Sequence, residues 1–136
     1  YDGVVAIHDA CATRKETTLH DSIRILADKC GAELTECAHS REKTLCCGEG
    51  GSANFIVPHI TAEWRQIRKQ EAGGNPVITY CAGCSNMFGR EVENIHLLDL
   101  IFDPHRAIKG KAKITKSPFT YLKRLFLKWI LQKKLK

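Results

Sequence analysis

Five cysteines fall into three short groups: Cys11 alone, Cys46 beside Cys47, and Cys81 three positions before Cys84. There are 34 residues between Cys11 and Cys46, and 32 between Gly48 and Cys81. One tetrahedral zinc ion takes four ligands at about 2.3 Å, so a fifth thiolate would stand idle. Adjacent side chains diverge in extended backbone, which makes Cys46 and Cys47 an awkward pair on one ion. A multi-iron cluster removes both difficulties, because its metals are spread out and neighbouring cysteines can reach different irons. A glycine run follows the pair, in "LCCGEGG" (45–51). Thiolate-ringed clusters are anionic, and buried negative charge needs hydrogen-bond donors. Gly48, Gly50 and Gly51 would let the backbone approach closely and turn its N–H groups toward sulfur.

The surrounding elements must bring these groups together. "GVVAI" (3–7) is apolar and largely β-branched, as suits a strand buried on both faces. Residues 17–30 place Leu19, Ile23, Leu26, Ala27 and Cys30 at helical spacing, with Gly31 as the stop. "AELTECA" (32–38) reads as the next strand. Pro58 opens a helix that carries Ile60, Trp64 and Ile67 and ends at Gly73-Gly74. "PVITY" (76–80) is a further buried strand, and "CAGCSNMFGREV" a helix with two cysteines in its first turn, whose positive dipole end would face the site. "IHLLDLIF" (95–102) fits a strand or a helix. Strands alternating with helices predict an α/β fold with a mainly parallel sheet flanked by helices. Each cysteine group then follows a strand, at the carboxyl edge where ligands of such folds gather.

Seven cysteines among 136 residues are an odd count and too sparse for a secreted disulfide scaffold, so a reducing, cytoplasmic setting is expected. The chain opens on Tyr1 rather than Met, which reads as a processed or excised piece. The net charge of +6 conceals a split: residues 109–136 hold ten Lys or Arg and no acid, and the rest is net acidic. Residues 1–108 are therefore expected to be the folded domain and 109–136 a basic amphipathic tail. An acidic body without a binding motif excludes nucleic acid as the expected partner.

"HDACATR", "LCCGEGG" and "TYCAGC" together resemble the cysteine-rich CCG domain of heterodisulfide reductase B-type subunits. The same domain type occurs in iron–sulfur subunits of glycolate, lactate and glycerol-3-phosphate oxidation systems. The resemblance covers roughly residues 3–100. It implies a non-cubane [4Fe-4S] cluster held by Cys11, Cys46, Cys47, Cys81 and Cys84, in a part of an oxidoreductase that performs electron transfer or thiol/disulfide reduction. Domains of this family occur as tandem pairs, which implies a second CCG domain or other oxidoreductase subunits as partners. Some bind zinc instead, so a zinc-binding structural or interaction module is the alternative.

Other residues carry plainer expectations. Cys30, on an apolar helical face, and Cys37, in the second strand, read as small buried hydrophobes rather than ligands. His8, three residues before Cys11, suits a donor behind the ligands and a simple strand end equally. His39 and His59 read as surface or core residues, and Trp64 as core. In the tail, Ser117-Pro118 should cap a helix whose Phe119, Leu122, Phe126, Trp129 and Ile130 share one face, while Lys123, Arg124, Lys128, Lys133 and Lys134 lie largely elsewhere. Such a helix suits a partner subunit or an anionic membrane surface, bound through 117–136. The second setting would place the protein at the inner face of the membrane.

Overall fold

A computed structural model of the chain describes residues 3–89, 91–109 and 118–134. The first apolar run forms β1 (Gly3–His8), an inner strand of a four-stranded sheet. It pairs in parallel with β2 (Ala32–Glu36) on one side and β3 (Val77–Thr79) on the other, and β3 pairs in parallel with β4 (Asn94–His96). The order is β2-β1-β3-β4, so the chain leaves β1 to one side and comes back on the other. That places the topological switch point, where ligands of open parallel sheets bind, between β1 and β3. His8, Thr79 and His96 lie in one register row at the carboxyl ends of their strands. The parallel α/β fold is the one expected.

The strands are joined by α1 (Thr17–Lys29), α2 (Ala53–Ile56), α3 (Pro58–Glu71) and α4 (Ala82–Phe88), and β4 is followed by α5 (Leu97–Phe102) and α6 (Pro104–Ile108). Pro58 and Pro104 stand in first turns, where a missing N–H costs nothing. Gly31, Gly73 and Gly74 take the left-handed conformation just past α1 and α3. Residue alternation sends Val5, Ile7 and Ile78 to one face of the sheet, where they pack with Ile23, Ala27, Leu97 and Leu100. Ala6 and Val77 point the other way, toward Ala72, Phe88, Cys37, Cys47 and Cys84. One half of the core is thus ordinary hydrocarbon, and the other is rich in sulfur.

Three expectations need correction. Strand β2 stops at Glu36, so Cys37 is the first residue beyond it, and its thiol packs beside Cys47 and Cys84. Cys30 packs against the opposite, hydrocarbon face. Helix α1 turns His20, Ile23 and Ala27 inward and leaves Leu19 and Leu26 exposed. The phase is held by Arg24, which pairs with Asp9 at 2.9 Å and with Glu36. Helix α3 buries Thr61, Arg65 and Arg68, whereas Ile60, Trp64 and Ile67 are only half-buried. Polar groups of the adjoining loops need donors there, and that requirement outranks the apolar stripe.

Helix α7 (Phe119–Lys134) forms as expected and buries none of its residues. Ser117, its expected cap, lies outside the described residues. Lys133 does not lie away from the apolar face: its ammonium sits 4.1 Å from the centre of the Trp129 ring, which stacks on Phe126. Among the described residues, no helix is long and apolar enough to cross a membrane.

Candidate metal centre

The three cysteine loops are tied together by the residues that flank the cysteines. From the first loop, Arg14 donates to the Thr44 carbonyl at 2.6 Å, and Thr44 returns a bond from its hydroxyl to the Asp9 carbonyl at 2.7 Å. Asp9 is fully buried, and its carboxylate accepts from the Arg41 N–H at 2.7 Å while pairing with Arg24. Burial alone would raise its pKa, but the hydrogen bonds from Arg24 and Arg41 hold it below the usual carboxylate range. Toward the third loop, the Tyr80 hydroxyl accepts from the Ala10 N–H at 3.1 Å and bonds the Thr13 hydroxyl at 2.8 Å. Asp9, Ala10, Thr13 and Arg14 of "HDACATR" therefore act as clamps around Cys11. Sequence reading missed them, although a polar residue on each side of a lone cysteine is a usable signal.

The sulfurs meet in the space so enclosed. Cys11 and Cys46 lie 3.8 Å apart. Burial, followed by repulsion from Cys46, pushes the Cys11 thiol up to about 11. Cys47, Cys84 and Cys81 pack in one cluster, and Cys84 favours the ionised form of Cys47. The thiolate of the buried pair resides on Cys47, lowered to about 6 by the bond from Cys84 and the N–H of Glu49, while the Cys84 thiol is raised. Cys11 also feels the charge of Cys47. Cys81 caps α4 and Cys84 lies buried in its first turn. None of the seven cysteines is in a disulfide.

Of the glycines, Gly48 alone shows the expected close approach. Its N–H donates to the Cys46 sulfur at 3.3 Å. At φ +101° it adopts a conformation that side chains avoid, and a Cβ there would stand 2.7 Å from the Cβ of Thr61. Gly50 and Gly51 have no neighbour within 4 Å of an added Cβ. Gly48→Ala should therefore cost about 1–3 kcal/mol through overpacking, with backbone strain in addition. Gly50→Ala should stay within about 0.5 kcal/mol of the parent. Denaturant midpoints of the two variants test this, and equal midpoints would contradict it. Gly83 has a different neighbour: a Cβ there would overlap the carboxylate of Glu49.

A family model described as "CCG: Cysteine-rich domain" matches residues 5–89, a span that contains all five cysteines and every clamp between them. The chain belongs to the CCG cysteine-rich domain family. No curated protein and no solved structure matches it. The CCG match gives the shared space of the sulfurs a family context, since a cysteine-rich domain of this kind suggests a bound metal or iron–sulfur group.

The donor set suits such a group. Cys11 and Cys46 approach to 3.8 Å, Cys47, Cys81 and Cys84 pack in one cluster, and the Gly48 N–H is aimed at the Cys46 sulfur. His8 lies at the same end of β1, buried against Phe88 at 4.7 Å with both ring nitrogens unpartnered. Burial, with Arg68 nearby, lowers its pKa to about 3 and keeps the ring neutral. It thus donates to none of the sulfurs here. Among the described residues, no three His, Cys, Asp or Glu side chains are placed to share one metal ion. The 3.8 Å between Cys11 and Cys46 is nevertheless the spacing of two sulfurs on one tetrahedral centre, about 3.8 Å for bonds of about 2.3 Å.

Proposed function

We propose that this CCG domain is a redox module that holds an iron–sulfur cluster, non-cubane [4Fe-4S] in type, through Cys11, Cys46, Cys47, Cys81 and Cys84. The observation that supports this reading is the 3.8 Å approach of the Cys11 and Cys46 sulfurs, with Cys47, Cys84 and Cys81 packed in one cluster on a single side of the sheet. Such a group would supply one-electron chemistry to an oxidoreductase, for electron transfer or the reduction of a disulfide. The chain's own residues have separate tasks. The Cys47 thiol, whose ionised form Cys84 and the Glu49 N–H favour, gives up its proton to a metal more readily than an ordinary cysteine. The N–H groups of Gly48 and Glu49 offset charge on Cys46 and Cys47. Tyr80, Thr13 and Arg14 hold the loops in register.

Two partner surfaces accompany this role. Phe55 and Ile56 are exposed on α2, shortly after the glycine run, and suit a second CCG domain or another oxidoreductase subunit that exchanges electrons with the site. Helix α7 offers exposed apolar residues on a strongly basic segment, which fits an anionic membrane surface. The setting proposed is a reducing compartment, at the inner face of a membrane.

The second reading is a structural zinc module, favoured by the tetrahedral spacing of Cys11 and Cys46. Metal and acid-labile sulfide analysis of anaerobically purified protein separates the two. The expected result is a brown protein with iron and sulfide in matching amounts. A colourless protein with stoichiometric zinc would replace the first reading with the second.

A further inference from the structure

Helix α3 buries two guanidinium groups on the cysteine side of the sheet. Arg65 is 6% exposed and Arg68 is 1% exposed. Arg65 donates to the Cys47 carbonyl at 3.4 Å and to Asn54 Oδ1 at 3.3 Å, and its fork meets the Glu91 carboxylate at 3.0 Å. Its Nη1 also lies where a side chain at Gly48 would project. One helical turn on, Arg68 donates to the His39 carbonyl at 2.5 Å, pairs with Glu71 at 3.2 Å, and bonds the Cys37 thiol. Its Nε has no partner, and neither nitrogen of neighbouring His8 has one.

Burying a guanidinium is costly, and two at i, i+3 on one face need a reason beyond packing. Each grips a different part of the stretch between β2 and α3: Arg68 its beginning at His39, Arg65 its middle at Cys47. A carbonyl contact would be met as well by an uncharged donor. What an arginine adds is a fixed positive charge that does not titrate. Arg65 holds that charge against the backbone of Cys47, where it would offset the negative charge of a thiolate ligand set in a poorly screened interior.

We infer that Arg65 and Arg68 are positioning residues that bracket the cysteine loop and set the charge balance of the group it holds, favouring the reduced state. The inference rests on the iron–sulfur reading. Positive charge and hydrogen bonding near a cluster raise its reduction potential, because reduction adds one negative charge to the site. Glu91 opposes Arg65 from the partly exposed side, so the pair offers changes of opposite sign at nearly one place.

The test is an EPR-monitored redox titration of the full chain and of four variants, with iron content measured on each. R65Q and R68Q should move the midpoint to more negative potential, and E91Q to more positive potential. R65K keeps the charge while losing the planar fork, so its midpoint should stay near the parent's even where its stability falls. Should R65Q fail to fold, E91Q and R65K still decide the matter. An iron-loaded parent whose midpoint is unmoved by R65Q, R68Q and E91Q overturns the charge role alone. A parent without iron overturns both this inference and the iron–sulfur reading.

Discussion

Cys47→Ser should leave the protein almost without cofactor, whereas Cys30→Ser should load it at close to the parent's level. Cys47 packs with Cys84 and Cys81, and its ionised form is favoured by Cys84 and the Glu49 N–H. Serine's hydroxyl ionises far less readily than a thiol and is a harder, poorer ligand for iron or zinc. The substitution also places a hydroxyl in the sulfur-rich half of the core, at a cost of about 1–3 kcal/mol if unpaired. Cys46→Ser should be nearly as damaging to loading, because its sulfur is the immediate neighbour of Cys11. Cys30 lies against the other face of the sheet and should matter only to packing. Cys37→Ser belongs between these extremes, since it disturbs the bond from Arg68 and the packing of Cys47 without removing a proposed ligand. Iron per chain and visible absorption, measured on anaerobic preparations, report all four. Equal loss in the Cys46, Cys47 and Cys30 variants would show that the ligands have been wrongly chosen.

Removal of residues 117–136 should abolish sedimentation with anionic vesicles. Six of the tail's ten basic residues fall within that segment, at Lys123, Arg124, Lys128, Lys133, Lys134 and Lys136. Each contributes about 1 kcal/mol near an anionic surface before ordering costs, and every 1.4 kcal/mol is about tenfold in affinity. A loss of two to three orders of magnitude therefore remains after a generous allowance for ordering. The apolar side chains of α7 add an insertion that salt does not screen: Phe119, Leu122, Phe126 and Trp129 are all more than half exposed. Binding of the intact chain should weaken as salt rises without vanishing. Vesicles of neutral lipid should hold it far less. If a protein partner were the true occupant, the intact chain would ignore vesicles of either kind. Vesicle binding unaffected by the truncation would end the membrane role.

Much of the site was legible because cysteines at strand ends announce themselves. The apolar runs marked β1 and β3, and their parallel pairing sets the loops that follow them at one edge of the sheet. Cys37 was misplaced by one structural unit because "AELTECA" continues to alternate past Glu36, where pairing with β1 has already ended. The buried face of α3 was illegible for another reason. Ile60, Trp64 and Ile67 trace a convincing apolar stripe, and arginines at 65 and 68 look like its solvated counterpart. Their partners are carbonyls of residues 39 and 47 and a carboxylate at 91, which meet them only in the finished fold. The same holds for Tyr80, whose value as a clamp depends on Ala10 and Thr13, 67 to 70 positions away. Local pattern identifies the atoms able to do chemistry, while the groups that hold them are chosen by long-range geometry.

The parallel order of the sheet also dictates when the protein becomes able to hold a cofactor. β1 and the loop bearing Cys11 are made first, yet β1 acquires its β3 neighbour only after some 70 further residues have followed. Until that pairing forms, Cys11 and Cys81 sit on segments with no reason to be near each other. Loading of the proposed group would therefore be a late event that awaits the docking of β3. The proposed group would join three stretches of chain that the backbone leaves far apart. It would act as a rivet across the open end of the sheet, and its loss should loosen the β1–β3 seam before any other part of the domain.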